Sequence, residues 1–400
     1  MIAIAKLIKP GKMSNGSRAL LSVFLPFFIM HCVEGIYFVY GSLLKGYGFS
    51  PQTTGWILGI FFLSMMVSRT FGSWAIENFG VRHTLEWSSF ASFAGCAMLF
   101  FKVSMAALFV GRILAGAAFG IYTMALFSHQ AMTVPEKERG KDFAVMACGG
   151  ILPVATICPI GEWLLANSME NAFLSVGPLL SVVCWQLGRR LGGPAYSPKK
   201  SCAGRNWGTY GELMSSKAFL FLIATGILLA TVDAFLVSIS MLASDNGVVA
   251  SYFLVSVSAV AVFVRVAGAK ALNSMPRAVM IAPCAMLMAA AAIFMSLFPA
   301  NASFLIGGSV TGLAIGAAWP MYHALISDTL DVPLRPKGTA VALLIYDFGW
   351  FLTPLVIGYV SPVLGIASTF IAISLIVLVL MALLQFLHWM PLDANLKSKA

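Results

Sequence analysis

Long apolar stretches recur along nearly the whole chain and alternate with short polar segments. A helix crosses the hydrocarbon core of a membrane with about 20 apolar residues, whereas a barrel strand needs about 10 and alternates apolar with polar positions. The stretches here have the length of helices and do not alternate, so the pattern predicts an all-α integral membrane protein. The twelve predicted transmembrane segments, spans 1 to 12, cover residues 19–44, 53–76, 84–101, 105–132, 142–165, 172–188, 218–243, 249–272, 277–298, 301–327, 338–361 and 363–388.

The composition excludes a soluble protein. The chain of 400 residues is 60% hydrophobic and 10% charged, whereas globular proteins carry roughly 25% charged residues because their exterior is polar. The net charge is +10, but the basic residues are scattered among short loops, and a bound nucleic acid needs a continuous basic face. We therefore expect membrane lipids as partners, no nucleic acid, and a monomer.

The distribution of basic residues predicts the orientation. Lysine and arginine concentrate in the segments that cytoplasmic loops occupy in multi-pass proteins, and the opposite loops hold only Lys45 and Lys102. Both termini are thus predicted to be cytoplasmic, in a membrane of the bacterial inner (cytoplasmic) type. The residues on the predicted cytoplasmic side are Lys6, Lys9, Lys12, Arg18, Arg82, Lys137, Arg139, Lys141, Arg189, Arg190, Lys199, Lys200, Arg205, Lys217, Arg277, Arg335, Lys337, Lys397 and Lys399.

A single long hydrophilic segment, residues 189–217, divides the chain after six predicted spans. Its glycine, proline, serine and lysine content is typical of a flexible linker, and a basic surface for anionic lipids is the alternative. We predict an N-terminal six-helix bundle in residues 1–188, a cytoplasmic linker in 189–217 and a C-terminal six-helix bundle in 218–400.

The two predicted bundles repeat each other at an offset of 196 residues. Arg69 and Gly72 at the end of span 2 correspond to Arg265 and Gly268 at the end of span 8. Likewise, Gly116 and Gly120 in span 4 correspond to Gly312 and Gly316 in span 10. At a slightly larger offset of 199 residues, Glu34 in span 1 parallels Asp233 in span 7. Duplicated six-helix units in parallel orientation are typical of secondary transporters.

Three motifs resemble the major facilitator superfamily. The segment Ser73-Trp-Ala-Ile-Glu77-Asn-Phe-Gly80-Val-Arg82 is similar to the family signature G-x-L-A-D-x-x-G-R-R/K, and Arg112-Ile-Leu-Ala-Gly116-Ala-Ala-Phe-Gly120 is similar to the R-x-x-x-G-x-x-x-G motif of its proton-coupled members. Tyr346-Asp347-Phe-Gly349 is similar to a pattern of its drug and metabolite exporters. The resemblance implies two pseudo-symmetric six-helix bundles around a central cavity, and spans 4 and 5 are similar to metallophore exporters.

Charged side chains within the predicted spans are the main candidates for chemistry, because a charge at the bilayer centre costs at least about 2.5 kcal/mol. We predict that Glu34 is a proton site with Arg112 as its partner, since burial disfavours a carboxylate and a nearby guanidinium favours it. Asp233 either joins this proton coupling or binds a cationic or zwitterionic substrate. The alternatives are a static Glu34–Arg112 ion pair, a solvent-facing Glu34, and an Asp233 that only packs.

A second group of polar and aromatic side chains is predicted to contact substrate. His31 and Tyr37 share one side of span 1 with Glu34, and Pro320 kinks span 10 near His323. The alternative for each member is packing. The predicted substrate-binding residues are His31, Tyr37, Tyr40, Trp319, Tyr322, His323 and Asp347.

The loop after span 2 is predicted to act as a conformational latch, as its resemblance to the family signature implies; an ordinary turn is the alternative. An acid at a turn can accept hydrogen bonds from the next helix, and Arg69 or Arg139 are candidate partners. The predicted latch residues are Arg69, Glu77, Gly80, Arg82 and Arg139.

The sequence offers no motif for an enzyme. It contains no phosphate-binding Gly-x-x-x-x-Gly-Lys-(Ser/Thr) loop, and its histidines and seven cysteines show no metal-ligand spacing. We therefore expect no cofactor, no metal, no enzymatic activity, and reduced structural thiols.

These observations together predict a secondary active transporter. The expected activity is proton-coupled efflux of a small amphipathic molecule, a drug-like compound or a metal-chelating metabolite, by alternating access. One alternative is a proton-driven importer of a siderophore or nutrient. The other is a non-transporting membrane sensor or assembly factor, since a fold alone does not settle function.

Overall fold

A computed structural model describes residues 15–133, 139–191, 209–268, 271, 275–331 and 334–391, and these are almost entirely helical. The helices are Asn15–Gly35, a 3-10 turn Ile36–Val39, Tyr40–Gly46, Pro51–Met98, Met105–Thr133, Arg139–Ala166, Glu170–Arg190, Tyr210–Ser215, Lys217–Asp233, Phe235–Asp245, Ser251–Ala267, Arg277–Leu297, Asn301–Thr329, Arg335–Leu364, Ile366–Leu384 and a π turn Gln385–Trp389.

The predicted spans correspond to these helices. Ten helical segments in the described ranges are long and apolar enough to cross a membrane, and Ser251–Ala267, span 8, is a shorter apolar helix. Span 3 is helical as well, but it is not among these ten segments. Spans 2 and 3 together make up the long helical segment Pro51–Met98. This segment is interrupted at Gly80, whose φ of 74° and ψ of 162° are non-helical. A side chain disfavours that φ, so glycine allows the chain to turn there. The predicted linker lies mostly outside the described residues, and the division into two bundles and a linker stays a prediction.

Short connections make successive spans antiparallel, so the ends of the described chain lie on one side of the molecule. We call the side that holds residues 15 and 391 the terminal face, and the side that holds residues 47–50 and 246–250 the distal face. Large apolar side chains such as Phe263, Val363 and Leu387 are exposed on the outside of the helices, as expected for surfaces that meet lipid.

The internal repeat appears as repeated packing. A Cβ added to Gly116 would collide with the backbone of Phe61 in span 2, and a Cβ added to Gly312 would collide with the backbone of Val257 in span 8. Span 4 thus lies against span 2 as span 10 lies against span 8. Small residues permit this close approach in both halves.

Spans 1 and 7 are interrupted at equivalent places. The α-helix of span 1 ends at Gly35, one residue after Glu34, and continues as a 3-10 turn. In span 7, the first helix ends at Asp233 and the second begins at Phe235. Both carboxyl groups of the repeat therefore lie at a helix break, in agreement with the predicted correspondence between Glu34 and Asp233.

The two halves of the chain meet closely at the distal face. Lys45 forms an ion pair of 3.0 Å with Asp245. Both carboxylate oxygens of Glu162 accept hydrogen bonds from span 8, at 2.7 Å from the backbone N–H of Ala250 and 2.8 Å from that of Ser251. These contacts join spans 1 and 5 of the first half to spans 7 and 8 of the second.

Candidate functional site: a cavity between the two halves

A cavity of about 280 Å³ lies between the halves. Spans 1, 2, 4 and 5 of the first half and spans 7, 8, 10 and 11 of the second contribute to its wall, in agreement with the predicted arrangement. In spans 4 and 10 the wall residues Phe127 and His323 lie near the helix ends at the terminal face. The ionisable and aromatic wall residues are Phe27, His31, Glu34, Phe38, Phe62, Arg69, Phe119, Phe127, Asp233, Arg265, Trp319, His323, Tyr346, Asp347 and Trp350.

Glu34 lines this cavity and is half-buried. Within the described part of the chain, no hydrogen bond or ion pair to its carboxyl group is formed. Charges nevertheless surround it, because Arg69, Arg112 and Asp347 all interact with it electrostatically. Glu34 is thus a carboxyl group in a shared cavity whose acceptor positions are open.

The predicted Glu34–Arg112 ion pair is not formed. Arg112 is 3% exposed, and its guanidinium donates instead to two backbone carbonyls, at 3.2 Å from Nε to Ile57 and 3.4 Å from Nη2 to Leu58. The ring of Phe61 covers it at 4.4 Å from Cζ to the ring centroid. Arg112 therefore acts on Glu34 at a distance and belongs to the packing between spans 4 and 2.

Asp233 is fully buried in the cavity wall and has an uneven set of partners. Its Oδ2 accepts three hydrogen bonds, at 2.7 Å from Tyr346 Oη and at 3.2 Å from each indole nitrogen of Trp319 and Trp350. Its Oδ1 has no hydrogen-bond partner within the described residues. Arg265 also interacts with this carboxylate electrostatically.

Asp347 is also fully buried, and it binds a guanidinium from the other half. Nη1 of Arg69 lies 2.9 Å from Oδ1 and 2.7 Å from Oδ2 of Asp347, so this ion pair joins span 2 to span 11. Arg69 was predicted to be a partner of the loop after span 2; in this structure its side chain lines the cavity and binds Asp347. The prediction for Asp347 was a substrate contact, and its two oxygens are occupied by Arg69.

The other predicted substrate contacts divide into two groups. His31, Trp319 and His323 line the cavity. Tyr37 and Tyr40 do not: they are buried inside the first half, at 1% and 0% exposure. Each step of three residues leaves an α-helical side chain about 60° short of a full turn, and two such steps separate His31 from Tyr37. The 3-10 turn rotates Tyr37 further. Tyr37 therefore lies on a different side of the helix from His31.

Tyr322 is likewise outside the cavity wall. Its hydroxyl donates to the backbone carbonyl of Leu222 at 2.9 Å, which ties span 10 to span 7. In contrast, Tyr346 and Trp350 line the cavity and hold Asp233, and the sequence prediction did not include them. Their spacing of four residues in span 11, next to the predicted Asp347, was the available signal.

The predicted latch is only partly described. The side chains of Glu77 and Arg139 lie outside the described part of the structure. Gly80 breaks the helix as stated above, and Arg82 pairs with Glu86 at 3.1 Å within the helix that follows. The latch, with Arg69 as one of its predicted residues, therefore stays a prediction.

The described residues hold no group of three or more metal-ligating side chains. The cysteines in the described ranges, Cys32, Cys96, Cys148, Cys158, Cys184 and Cys284, are buried free thiols.

Outside the spans, Tyr47 donates to Glu170 Oε2 at 3.0 Å at the distal face. Burial and this hydrogen bond raise the pKa of the Tyr47 phenol. The phenol therefore keeps its proton and stays a hydrogen-bond donor to Glu170 at neutral pH.

A helical membrane protein whose two related halves enclose a cavity with ionisable walls is organised as a transporter. The sequence of residues 17–308 matches the model of the Major Facilitator Superfamily, and the chain belongs to this family. No curated protein matches the sequence.

Solved structures of transporters show the same fold. A bacterial homologue of the human lysosomal transporter Spinster, inward-facing and unoccupied, has a TM-score of 0.75 and 16% identity over 94% of this chain and 97% of that chain. A POT family transporter in complex with 5-aminolevulinic acid has a TM-score of 0.74 and 12% identity over 92% and 95% of the two chains. A nucleoside transporter has a TM-score of 0.72 and 15% identity over 92% and 98%.

Proposed function

We propose that this protein is a secondary active transporter that exports a small amphipathic molecule by alternating access in exchange for protons. The observation that carries the proposal is Glu34: an ionisable group without a hydrogen-bond partner in the described residues, placed in a cavity that both halves build. A drug-like compound or a metal-chelating metabolite suits aromatic walls that also hold charged groups.

Alternating access requires that the cavity open to one side at a time. The distal face is closed by Lys45–Asp245 and by the hydrogen bonds of Glu162 to span 8. The cavity wall extends toward the terminal face instead. This arrangement is the state open toward the terminal face, which is the cytoplasmic side if the termini are cytoplasmic as we propose, in an inner membrane.

Proton coupling requires a carboxyl group whose protonation changes what the site can bind. A deprotonated Glu34 attracts Arg69 and Arg112 at a distance, and protonation of Glu34 removes that attraction. Because Arg69 also holds Asp347 of the other half, the charge on Glu34 bears on a contact between the halves. Protonation at Glu34 is thereby linked to how the halves meet.

The test is proton flux in proteoliposomes under an imposed pH gradient, with candidate substrates added. Glu34→Gln is expected to abolish substrate-dependent proton flux, because glutamine cannot exchange a proton. Glu170→Gln is the matched control, since Glu170 binds Lys102 and Tyr47 at the distal face within the first half. Unchanged flux in Glu34→Gln would remove Glu34 from the mechanism.

The direction of transport is tested by the accumulation of compounds in cells with and without the protein. Export predicts lower accumulation of the substrate when the protein is present. Higher accumulation would instead identify an importer of a siderophore or nutrient. No change across a broad panel, together with no proton flux, would favour a sensor or assembly factor.

A further inference from the structure

The hydrogen-bond donors around Asp233 leave one of its carboxylate oxygens open to a ligand. A carboxylate has about four acceptor positions, and three donors converge on Oδ2 while Oδ1 receives none from the described residues. Asp233 is 0% exposed, so Oδ1 is an acceptor that has lost water without gaining a described donor. Asp233 is part of the cavity wall, and we infer that a bound molecule supplies the donor for Oδ1.

The local charge favours a cationic donor. Tyrosine and tryptophan donors are neutral, so the three hydrogen bonds orient the carboxylate without neutralising it. The charge of this buried carboxylate therefore attracts a positive group.

Aromatic rings surround this position. The rings of Trp319 and Tyr346 are perpendicular, with centroids 4.0 Å apart, and Trp350 lies 5.7 Å from Tyr346. Each of the three rings carries a polar group that donates to Asp233, and all three residues line the cavity. Phe38 of the other half packs against Trp350 at 5.8 Å. A carboxylate among aromatic faces is an arrangement that binds alkylammonium groups.

Other ionisable groups constrain the rest of the ligand. Arg265 and His323 lie on the same wall, and Arg265 interacts electrostatically with Asp233. Glu34, Arg69 and Asp347 lie across the cavity or beside it. A ligand that carries an acidic group as well as an amine would place its acid toward Arg265.

We propose that Asp233 and the rings of Trp319, Tyr346 and Trp350 form a subsite for the protonated amine of the transported molecule. The inference deepens the proposed transport function and rests on it. The substrate class is accordingly an amine with an apolar or aromatic body, either a simple cation or a zwitterion.

The test is equilibrium binding to the purified full-length protein, measured by quenching of tryptophan fluorescence. The probes share a phenylethyl body and differ in charge: phenethylamine, the zwitterion phenylalanine, the neutral 2-phenylethanol and the anion 3-phenylpropionate. At least one amine is expected to bind about tenfold more tightly than the alcohol and the anion. Comparison of the two amines distinguishes a simple cation from a zwitterion.

Asp233→Asn is expected to remove this preference while the alcohol binds as before, since asparagine keeps the shape and loses the charge. Asp328→Asn is the matched control, because Asp328 lies in the same half of the chain, is exposed and binds Arg277 away from the cavity wall. Trp350→Leu keeps the charge of Asp233 but removes one ring and one hydrogen bond to it, so it should weaken the preference. It serves if Asp233→Asn does not fold, and an unchanged preference in it would count against the subsite.

Several results would overturn the subsite. They are equal binding of the alcohol and both amines, tightest binding of the anion, no saturable binding of either amine at millimolar concentrations, or an unchanged preference in Asp233→Asn. These measurements need no transport. A failure of Glu34→Gln to alter proton flux is therefore a separate result that refutes the proton coupling and leaves the binding data intact.

Discussion

Glu162 is the side chain whose removal should most directly open the distal face. It belongs to span 5 of the first half, and it caps the N-terminus of span 8 in the second half with two hydrogen bonds. A carboxylate at the N-terminus of a helix is stabilised both by the backbone N–H groups and by the helix dipole. Glu162→Gln keeps one acceptor oxygen and loses the second bond and the charge.

The magnitude follows from these contacts. A hydrogen bond to a charged group contributes about 1.5–3 kcal/mol, and the lower end applies because Glu162 is only half-buried. The interaction of the charge with the helix dipole adds about 0.5 kcal/mol. A loss of about 2 kcal/mol shifts the ratio of distally closed to distally open molecules roughly 30-fold toward the open form.

The assay is the distance between two spin labels across the distal face, measured by pulsed electron paramagnetic resonance in a cysteine-free background. Asn167 and Asn246 suit the labels, because each is exposed and bonds only within its own half. Glu162→Gln should move population from the short distance to a longer one. Glu170→Gln should not, since the contacts of Glu170 stay within the first half.

Two results would refute this reasoning about the distal face. One is a distance distribution in Glu162→Gln identical to that of the unaltered protein. The other is an equal opening in Glu170→Gln, which would show that any lost acid at this face has the same effect. In either case the cap on span 8 would not control closure.

Two further predictions concern stability and are measured by thermal unfolding in detergent. Gly116→Val should destabilise the protein by about 1–3 kcal/mol, because a Cβ at this position collides with the backbone of Phe61. Gly46→Ala is the control and should have little effect, because nothing lies within 4 Å of its added Cβ. Equal shifts of the unfolding temperature in the two variants would contradict the packing argument. Asp347→Asn should lower the free energy of unfolding by about 3 kcal/mol, because it leaves the charge of Arg69 uncompensated. The double variant Arg69→Met with Asp347→Leu should recover most of this stability. Additive losses in the double variant would show that the pair does not act as a unit.

The features of the fold that depend on local pattern could be predicted from the sequence. The apolar runs determine where helices cross a membrane, and the offset of 196 residues aligned Gly116 with Gly312, which pack in the same way. The carboxyl groups Glu34 and Asp233 also lie in the cavity as expected. These predictions need only the pattern of residue types along the chain and the cost of placing charge in a membrane.

The partners of these side chains could not be predicted in the same way. Arg69 and Asp347 are 278 residues apart in the chain, and no periodicity within one helix reveals a contact between two halves of the chain. Arg112 is a second residue whose partners the sequence did not reveal. Its charge suggested an acidic partner, but carbonyl oxygens of span 2 accept its hydrogen bonds. Tyr37 was wrongly predicted to face the cavity, because the α-helix ends at Gly35 and the following 3-10 turn rotates the side chain away. No proline near this break indicates it in the sequence.

The three carboxyl groups of the cavity differ in what compensates their charge, and this difference orders their roles. Asp347 holds a guanidinium with both oxygens, Asp233 holds neutral donors with one oxygen, and Glu34 accepts no bond from the described residues. A group that must exchange a proton during transport benefits from having no fixed partner, whereas removing one member of a buried ion pair costs the most stability. We therefore expect loss of proton coupling to be greatest for Glu34→Gln and least for Asp347→Asn, and loss of stability to follow the opposite order. If the same variant lost the most proton coupling and also the most stability, the carboxyl groups would not divide their roles in this way.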